Sequence, residues 1–329
     1  MAAMASRPPR LQGAAAQPTF AARALPAFGF SSGPPRRLCQ TGRGFVRPLL
    51  AAAVPWLASA RRLQQQRCCG SAAASSKSHY VDVHCHLTHA AFVSHAGEDE
   101  AVERARKAGL HRVVVNGVEP KDNRAVLDLC GRHPDICRAA LGIYPLNASA
   151  AEIDRADFTQ RTGMEAPEAL DVGKELSFID QMAAAGRLIA VGEAGLDKMY
   201  GYTEKLLGAQ EEVLRELCRI AVRHRLPIIV HSRAAEERTF RVLESEGVEL
   251  ADFHCYTGKK KLAVQIAEAG YYFSMPASIT RNGQFQALYS VLPPDRVLTE
   301  TDAPYMAPER GNWPNEPCNV PPAISAMAK

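Results

Sequence analysis

Tyr80-Val81-Asp82-Val83-His84-Cys85-His86 reads as a β-strand that ends in metal-capable side chains. Side chains alternate faces along a strand, so His84 and His86 point the same way and Cys85 the other. Both imidazoles can then reach one ion from one strand. Asp82 shares their parity, where it can orient a ligand or brace the barrel floor. Cys85 turns into the packing between sheet and helices, as a small hydrophobe rather than a ligand.

Outward from this stretch, seven more short apolar runs read as strands: 112–118, 138–144, 188–193, 227–231, 249–254, 270–275 and 296–302. Helical patterns lie between them at 98–108, 121–132, 173–185, 203–224, 234–246, 258–269 and 282–291. The fourth of these carries Val213, Leu214, Leu217, Ile220 and Ala221 on one stripe of 3.6-residue period. Strands alternating with helices imply parallel pairing with both faces covered. Eight units in about 250 residues suit an α/β (β/α)8 TIM barrel. An open doubly wound sheet also alternates, and the polar residues decide between the two. His84 and His86 end strand one, Glu193 strand four, His231 strand five, His254 strand six and Asp302 strand eight. In a barrel these ends meet at one mouth, whereas an open sheet strings them along an edge.

Four histidines and two carboxylates are too many for one catalytic ion with an open position, and suit two divalent ions a few ångströms apart. Mixed nitrogen and oxygen ligation admits Zn, Mn or Mg. Glu193 has two oxygens and can bridge such a pair. The other histidines (His79, His89, His95, His111, His133 and His224) fall on helices, loops or strand starts and read as structural or solvated.

At these residues the chain resembles the TatD family of metal-dependent nucleases, within the amidohydrolase-like barrels. The matching segments are Asp82–Leu87, Gly192–Asp197, Val230–Arg233, Phe253–Tyr256, Glu300–Pro304 and Asn315–Pro317, and the match runs from Tyr80 to the end. The resemblance implies His84, His86, Glu193 and Asp302 as ligands of a first metal, and Glu193, His231 and His254 as ligands of a second. It implies hydrolysis of phosphodiester bonds in DNA, exonucleolytic by preference, at a mouth that binds DNA ends. Two departures stand out. The family's frequent His before Pro after strand three is Tyr144-Pro145 here, and a phenol cannot replace imidazole as a proton acceptor near pH 7. The chain also stops where the family continues into a long last helix, so the eighth helix is expected to be truncated, with only 321–329 to begin it and the outer face of strands eight and one exposed.

The mechanism expected from this set is attack of an activated water on phosphorus, with Asp302 and Glu193 as catalytic groups. Arg233 follows a ligand and is placed to clamp a phosphate with two donors. Lys259, Lys260 and Lys261 open the helix after strand six and are placed to track a phosphate backbone. Tyr144 is a further candidate substrate contact. Residues 148–172 read as an acidic, irregular insertion, suited to a lid.

Charge divides the chain in two. Residues 1–80 hold no Asp or Glu but ten Arg and one Lys, a charge of +11, whereas the remaining 249 residues hold 28 basic and 35 acidic groups, −7. Residues 1–78 therefore read as an Arg-rich organellar leader, mitochondrial or chloroplast, cleaved near 67–78, and residues 79–329 as the barrel. The apolar run 48–60 is too short for a span and contains Pro55, so no stable membrane insertion is expected. At −7 the barrel cannot hold DNA by bulk charge, so a DNA or other phosphodiester partner must be held by a few cations or by metal. The competing classes are a two-metal amidohydrolase acting on an ester, lactone or amide, and a metal-binding barrel with weakened catalysis. The first often uses a bridging carboxylated lysine, and here Glu193 occupies the end of strand four. The scattered cysteines fit a reduced compartment.

Overall fold

The computed structural model describes residues 80–95, 97–198 and 203–329. The leader reading of residues 1–78 lies outside them. Eight parallel strands follow one another in sequence order: β1 (Tyr80–Cys85), β2 (Leu110–Asn116), β3 (Cys137–Leu141), β4 (Leu188–Gly195), β5 (Ile228–His231), β6 (Ala251–His254), β7 (Tyr272–Met275) and β8 (Val297–Thr299). Sequential order excludes the doubly wound alternative, whose first strand lies inside the sheet.

Beyond the short β8 the chain closes onto β1 by individual bonds. The Asp302 N–H donates to the His84 carbonyl (3.0 Å) and the His86 N–H to the Ala303 carbonyl (2.6 Å). The buried Asp82 carboxylate accepts from the Thr301 N–H (3.0 Å) and hydroxyl (2.5 Å), and from the His84 N–H (3.2 Å). Asp82 thus holds the seam and lies outside the ligand set. Burial raises its pKa to about 7, against the hydrogen bonds from Thr301 and His84.

The seven expected helices form at Glu98–Lys107, Pro120–Arg132, Val172–Ala184, Glu204–His224, Glu236–Ser245, Lys260–Glu268 and Gly283–Tyr289. The apolar stripe of Glu204–His224 is buried, and the Thr203 hydroxyl caps the helix by accepting from the Leu206 N–H at 3.2 Å. Strand three ends at Leu141 rather than Tyr144. Pro145 disfavours helical torsions at the residue before it, and Tyr144 stays extended as the N-cap of the short helix Pro145–Ala148. Residues 148–172 are not irregular as expected. They hold a helix at Arg155–Thr162, capped by Asp154 at its start and by Gly163 in the left-handed region at its end. Phe158 packs with Leu146 and Ala166 in a small core of its own. After β8, a helix at Val320–Met327 buries Val320 and Ala323, while the three residues of β8 stay half-buried. Among the described residues no helix is long and apolar enough to cross a membrane.

Most apolar side chains fill the layer between strands and helices, Cys85 among them. Inside the barrel, Val114, Ala140, Ala190 and Ile229 form a small plug. The remaining strands turn Asp82, Asp252 and Ser274 inward, joined by Glu300 just past the end of β8, all buried. A barrel interior that is half polar is costly to fold. Its polar side lies below the histidines.

Candidate metal centre

The barrel brings all six sequence-derived ligand positions to one place. His84 Nε2 and His86 Nε2 lie 3.1 Å apart. Glu193 Oε2 is 3.8 and 3.3 Å from them, and Asp302 Oδ1 is 3.6 and 3.7 Å from them. Ligands about 2.1 Å from a tetrahedral ion stand ~3.4 Å from one another, so these spacings are those of donors around one ion. The other oxygen, Glu193 Oε1, lies 2.9 Å from both His231 Nδ1 and His254 Nε2, which are 3.3 Å apart. Glu193 therefore presents one oxygen to each of two nitrogen-bearing clusters.

Hydrogen bonds settle which nitrogens face inward. His86 Nδ1 is 3.0 Å from the Asn116 carbonyl, which only accepts, so Nδ1 carries the hydrogen and Nε2 keeps its lone pair for the cluster. His231 Nε2 is 3.0 Å from Asp197 Oδ2 and donates to it, leaving the Nδ1 lone pair opposed to a carboxylate oxygen and another imidazole nitrogen. Nitrogens this close to a carboxylate oxygen need a cation between them, a metal ion or, in its absence, a proton. His84 Nδ1 and His254 Nδ1 are buried with no hydrogen-bond partner, and Glu300 Oε2 is 3.9 Å from the latter. The donor set fits divalent metal.

Without an ion, protons sit between these nitrogens and oxygens, and the electrostatics follow from that crowding. Burial opposes charge on Glu193, but the positive charge of His254 and hydrogen bonds from His231, His254 and His86 hold its carboxyl well below the usual range. Burial also opposes charge on Asp302, and His84 and His254 outweigh it. Burial and the neighbouring His254 lower His84 to about 4. His86 rises to about 9 and His254 to about 10, because against burial the pull of Glu193 dominates at both.

The local backbone is shaped for this approach. Gly195 has φ +150° and lies so close to β5 that a Cβ would fall inside the His231 carbonyl. Asp302 and Cys255, neither of them glycine, adopt φ +53° and +44° at the mouth, a left-handed geometry that costs about 1 kcal/mol or more each and collects at functional sites.

Of the four expected substrate contacts, two are engaged elsewhere. The Arg233 guanidinium places Nε (3.0 Å) and Nη2 (2.6 Å) on Asp197 Oδ2, so the fork read as a phosphate clamp is engaged with a carboxylate. The Tyr144 phenol donates to the same oxygen at 3.1 Å, and its ring stands edge-on to His231. Burial and the nearby Glu193 and Asp197 raise the phenol's pKa, so it remains a donor. Lys259 and Lys260 are exposed, Lys259 as N-cap of Lys260–Glu268.

Asp197 is the residue that strand-end reading misses. It joins His231, Arg233 and Tyr144. Its signal was its place two residues beyond β4 with the parity of Glu193. A second unread network lies beneath. The Ser274 hydroxyl is 2.9 Å from Asp252 Oδ2 and 2.6 Å from Glu300 Oε2. One hydroxyl hydrogen serves one acceptor, so a carboxyl proton supplies the other bond. Burial raises both acids, Asp252 to about 6 and Glu300 to about 8.

Comparison with known proteins agrees with this geometry. A family model described as TatD related DNase matches residues 81–329. Human Deoxyribonuclease TATDN3 is 32% identical over 248 residues, covering 75% of this chain and 84% of the relative. The 3'-5' ssDNA/RNA exonuclease TatD of Erwinia tasmaniensis is 26% identical over 257 residues, 75% of this chain and 90% of its own length. The crystal structure of YJJV, a TatD homolog from Escherichia coli K12, superposes with a TM-score of 0.62 at 25% identity, over 76% of this chain and 89% of that one. A profile spanning the whole barrel, matched by a carboxylate set between two histidine clusters at its mouth, places the chain in the TatD family of metal-dependent DNases.

Proposed function

We propose that this protein hydrolyses phosphodiester bonds at the ends of DNA strands, using two divalent ions held by His84, His86, Glu193 and Asp302 on one side and by Glu193, His231 and His254 on the other. The observation that carries the reading is the pair of Glu193 oxygens, one in each cluster. The names of the relatives support DNA as substrate. Bound there, the metal supplies Lewis acidity, lowering the pKa of water and offsetting charge on the phosphoryl oxygens.

The chain's own groups do the rest. Asp302 directs Oδ1 at the histidines, while Oδ2 lies 3.6 Å from the Cys255 thiol. Held ionised, it can take up a proton from the attacking water. Asp197 fixes the tautomer and orientation of His231, and Tyr144 and Arg233 fix Asp197. Tyr144 acts as a donor, and no proton needs to pass to it. Lys259 and Lys260 hold the phosphate backbone from the rim. The Arg-rich leader supports import into an organelle, tested by following a fluorescent fusion with and without residues 1–78.

The deciding assay is cleavage of end-labelled single-stranded and nicked DNA by the purified protein, with Mg, Mn and Zn in parallel and with EDTA. Metal-stimulated release of nucleotides from an end is expected. Turnover of lactones or amides with DNA left intact would replace this reading by the amidohydrolase one.

A further inference from the structure

Six large apolar side chains are exposed among the described residues, and three of them, Tyr305, Met306 and Trp313, belong to the loop that follows β8. Trp313 is 50% exposed and Tyr305 47%. Their rings lie 5.6 Å apart, tilted by 53°. His89, from the loop after β1, stands edge-on to both, at 5.6 Å and 6.2 Å between centroids. Its Nδ1 accepts from the Ala91 N–H, so its Nε2 donates to the Tyr305 phenol oxygen, 3.2 Å away.

This group is anchored to the ligand strands. The His89 N–H donates to the His86 carbonyl (3.1 Å), and the Tyr305 N–H to the Asp302 carbonyl (2.7 Å). The fully buried Asn315 amide donates to the carbonyls of Thr301 (2.8 Å) and Tyr305 (2.6 Å), fixing the return of the loop. His89 is therefore held three residues from His86 and Tyr305 three from Asp302, and the Trp313 ring packs beside both.

We propose that Trp313 and Tyr305 form a stacking platform for the unpaired terminal base of a single-stranded nucleic acid whose end phosphodiester lies over the metal centre. The proposal rests on the phosphodiesterase reading above and adds the group that holds the substrate's end. Half-exposed faces of two aromatic side chains offer on the order of 200 Å², below what one side of a stable protein interface buries. That area matches one stacked base, and every base has a face to offer.

The chain has two tryptophans, Trp56 and Trp313, so full-length protein carrying Trp56→Phe reports on Trp313 alone. The probe is a phosphorothioate hexathymidylate in Mg buffer, with two further versions made abasic at the 5' or the 3' terminal nucleotide. Saturable quenching of Trp313 emission is expected, with affinity falling about five-fold or more for one of the abasic ends. Trp313→Ala should raise KM for cleavable hexathymidylate about ten-fold with kcat within two-fold, and should no longer distinguish that abasic end. Trp313→Phe should restore most of the loss. If DNA is bound and cleaved while Trp313 emission and the KM of Trp313→Ala stay unchanged, the platform is wrong and the phosphodiesterase reading survives. If DNA is neither bound nor cleaved, both fall together.

Discussion

His231 Nε2 and Asp197 Oδ2 stand 3.0 Å apart, and that one carboxylate oxygen also receives the Tyr144 phenol and two donors of Arg233. An acceptor serving three side chains is a support rather than a ligand. It sets which His231 nitrogen faces Glu193, and such outer partners typically change metal affinity 10–100-fold. Asp197→Asn should weaken binding at one of two metal sites by about that factor, and excess metal should restore much of the activity. Tyr144→Phe, which removes one donor and keeps the ring, should cost less. Metal titration calorimetry of the two variants checks the order, and equal affinities for Asp197→Asn and the parent would refute it.

Glu193 contributes an oxygen to each cluster, so its loss should be felt twice. In Glu193→Gln one oxygen becomes an amide nitrogen, which cannot ligate. The expected outcome is a fall from two tightly bound ions to at most one, and a loss of roughly 10³-fold or more in metal-stimulated cleavage. Far-ultraviolet circular dichroism should be unchanged, because the barrel's core lies elsewhere. Two ions retained by elemental analysis would mean that Glu193 is not the bridge.

Metal loading should release protons. Without metal, burial disfavours charge on His86 and His254, yet Glu193 raises them to about 9 and about 10. Raised histidines stabilise the metal-free fold fully below the unfolded pKa of about 6.5, and that stability is lost as pH rises through about 9 to 10. Metal runs the other way, since a ligand nitrogen must be neutral. Affinity should therefore rise with pH between 6 and 9, with about two protons released on full loading. Calorimetry in buffers of different ionisation enthalpy counts them, and a pH-independent affinity would contradict the arrangement.

How far the site was legible depended on periodicity. A strand repeats every two residues, so His84, His86, Glu193, His231 and His254 carry their direction in the sequence, and order plus parity places them at one mouth, whereas Asp302, beyond the end of β8, is brought there by its N–H bond to the His84 carbonyl. Asp197 lies beyond the end of β4, where that rule lapses. Arg233 reads as a phosphate clamp because nothing local shows that a carboxylate 36 residues earlier lies beside it. The helix at Arg155–Thr162 is the opposite case. Its caps, Asp154 and Gly163, were written in the chain, but its weak apolar stripe hid them behind acidic composition.

The Lys259–Lys261 run is set against its own helix. All three are exposed at the positive end of Lys260–Glu268, with no acid in the first turn. Cations there oppose the helix dipole by some tenths of a kcal/mol each, so the fold gains nothing from them. Lys260→Ala should leave thermal stability unchanged or slightly raised. Binding of single-stranded DNA should weaken, and its dependence on log salt should flatten by about 0.7.

Glu300 and Asp252 share the Ser274 hydroxyl, and burial raises Glu300 to about 8. A carboxyl whose folded pKa is raised contributes stability that is fully present below its unfolded value, near 4.3, and lost as pH rises through about 8. Glu300→Gln keeps an oxygen to accept from the Cys255 N–H and supplies a permanent N–H toward Ser274, whose hydroxyl can then donate to Asp252. The variant thus copies the protonated acid at every pH. Its advantage over the parent should be small near pH 5, grow by about 1.4 kcal/mol per pH unit toward pH 8, and reach several kcal/mol near pH 9. Denaturant melts of the metal-free proteins at the two pH values measure the difference. A variant less stable by the same amount at both would show that Glu300 is ionised throughout, and that Asp252 carries the shared proton.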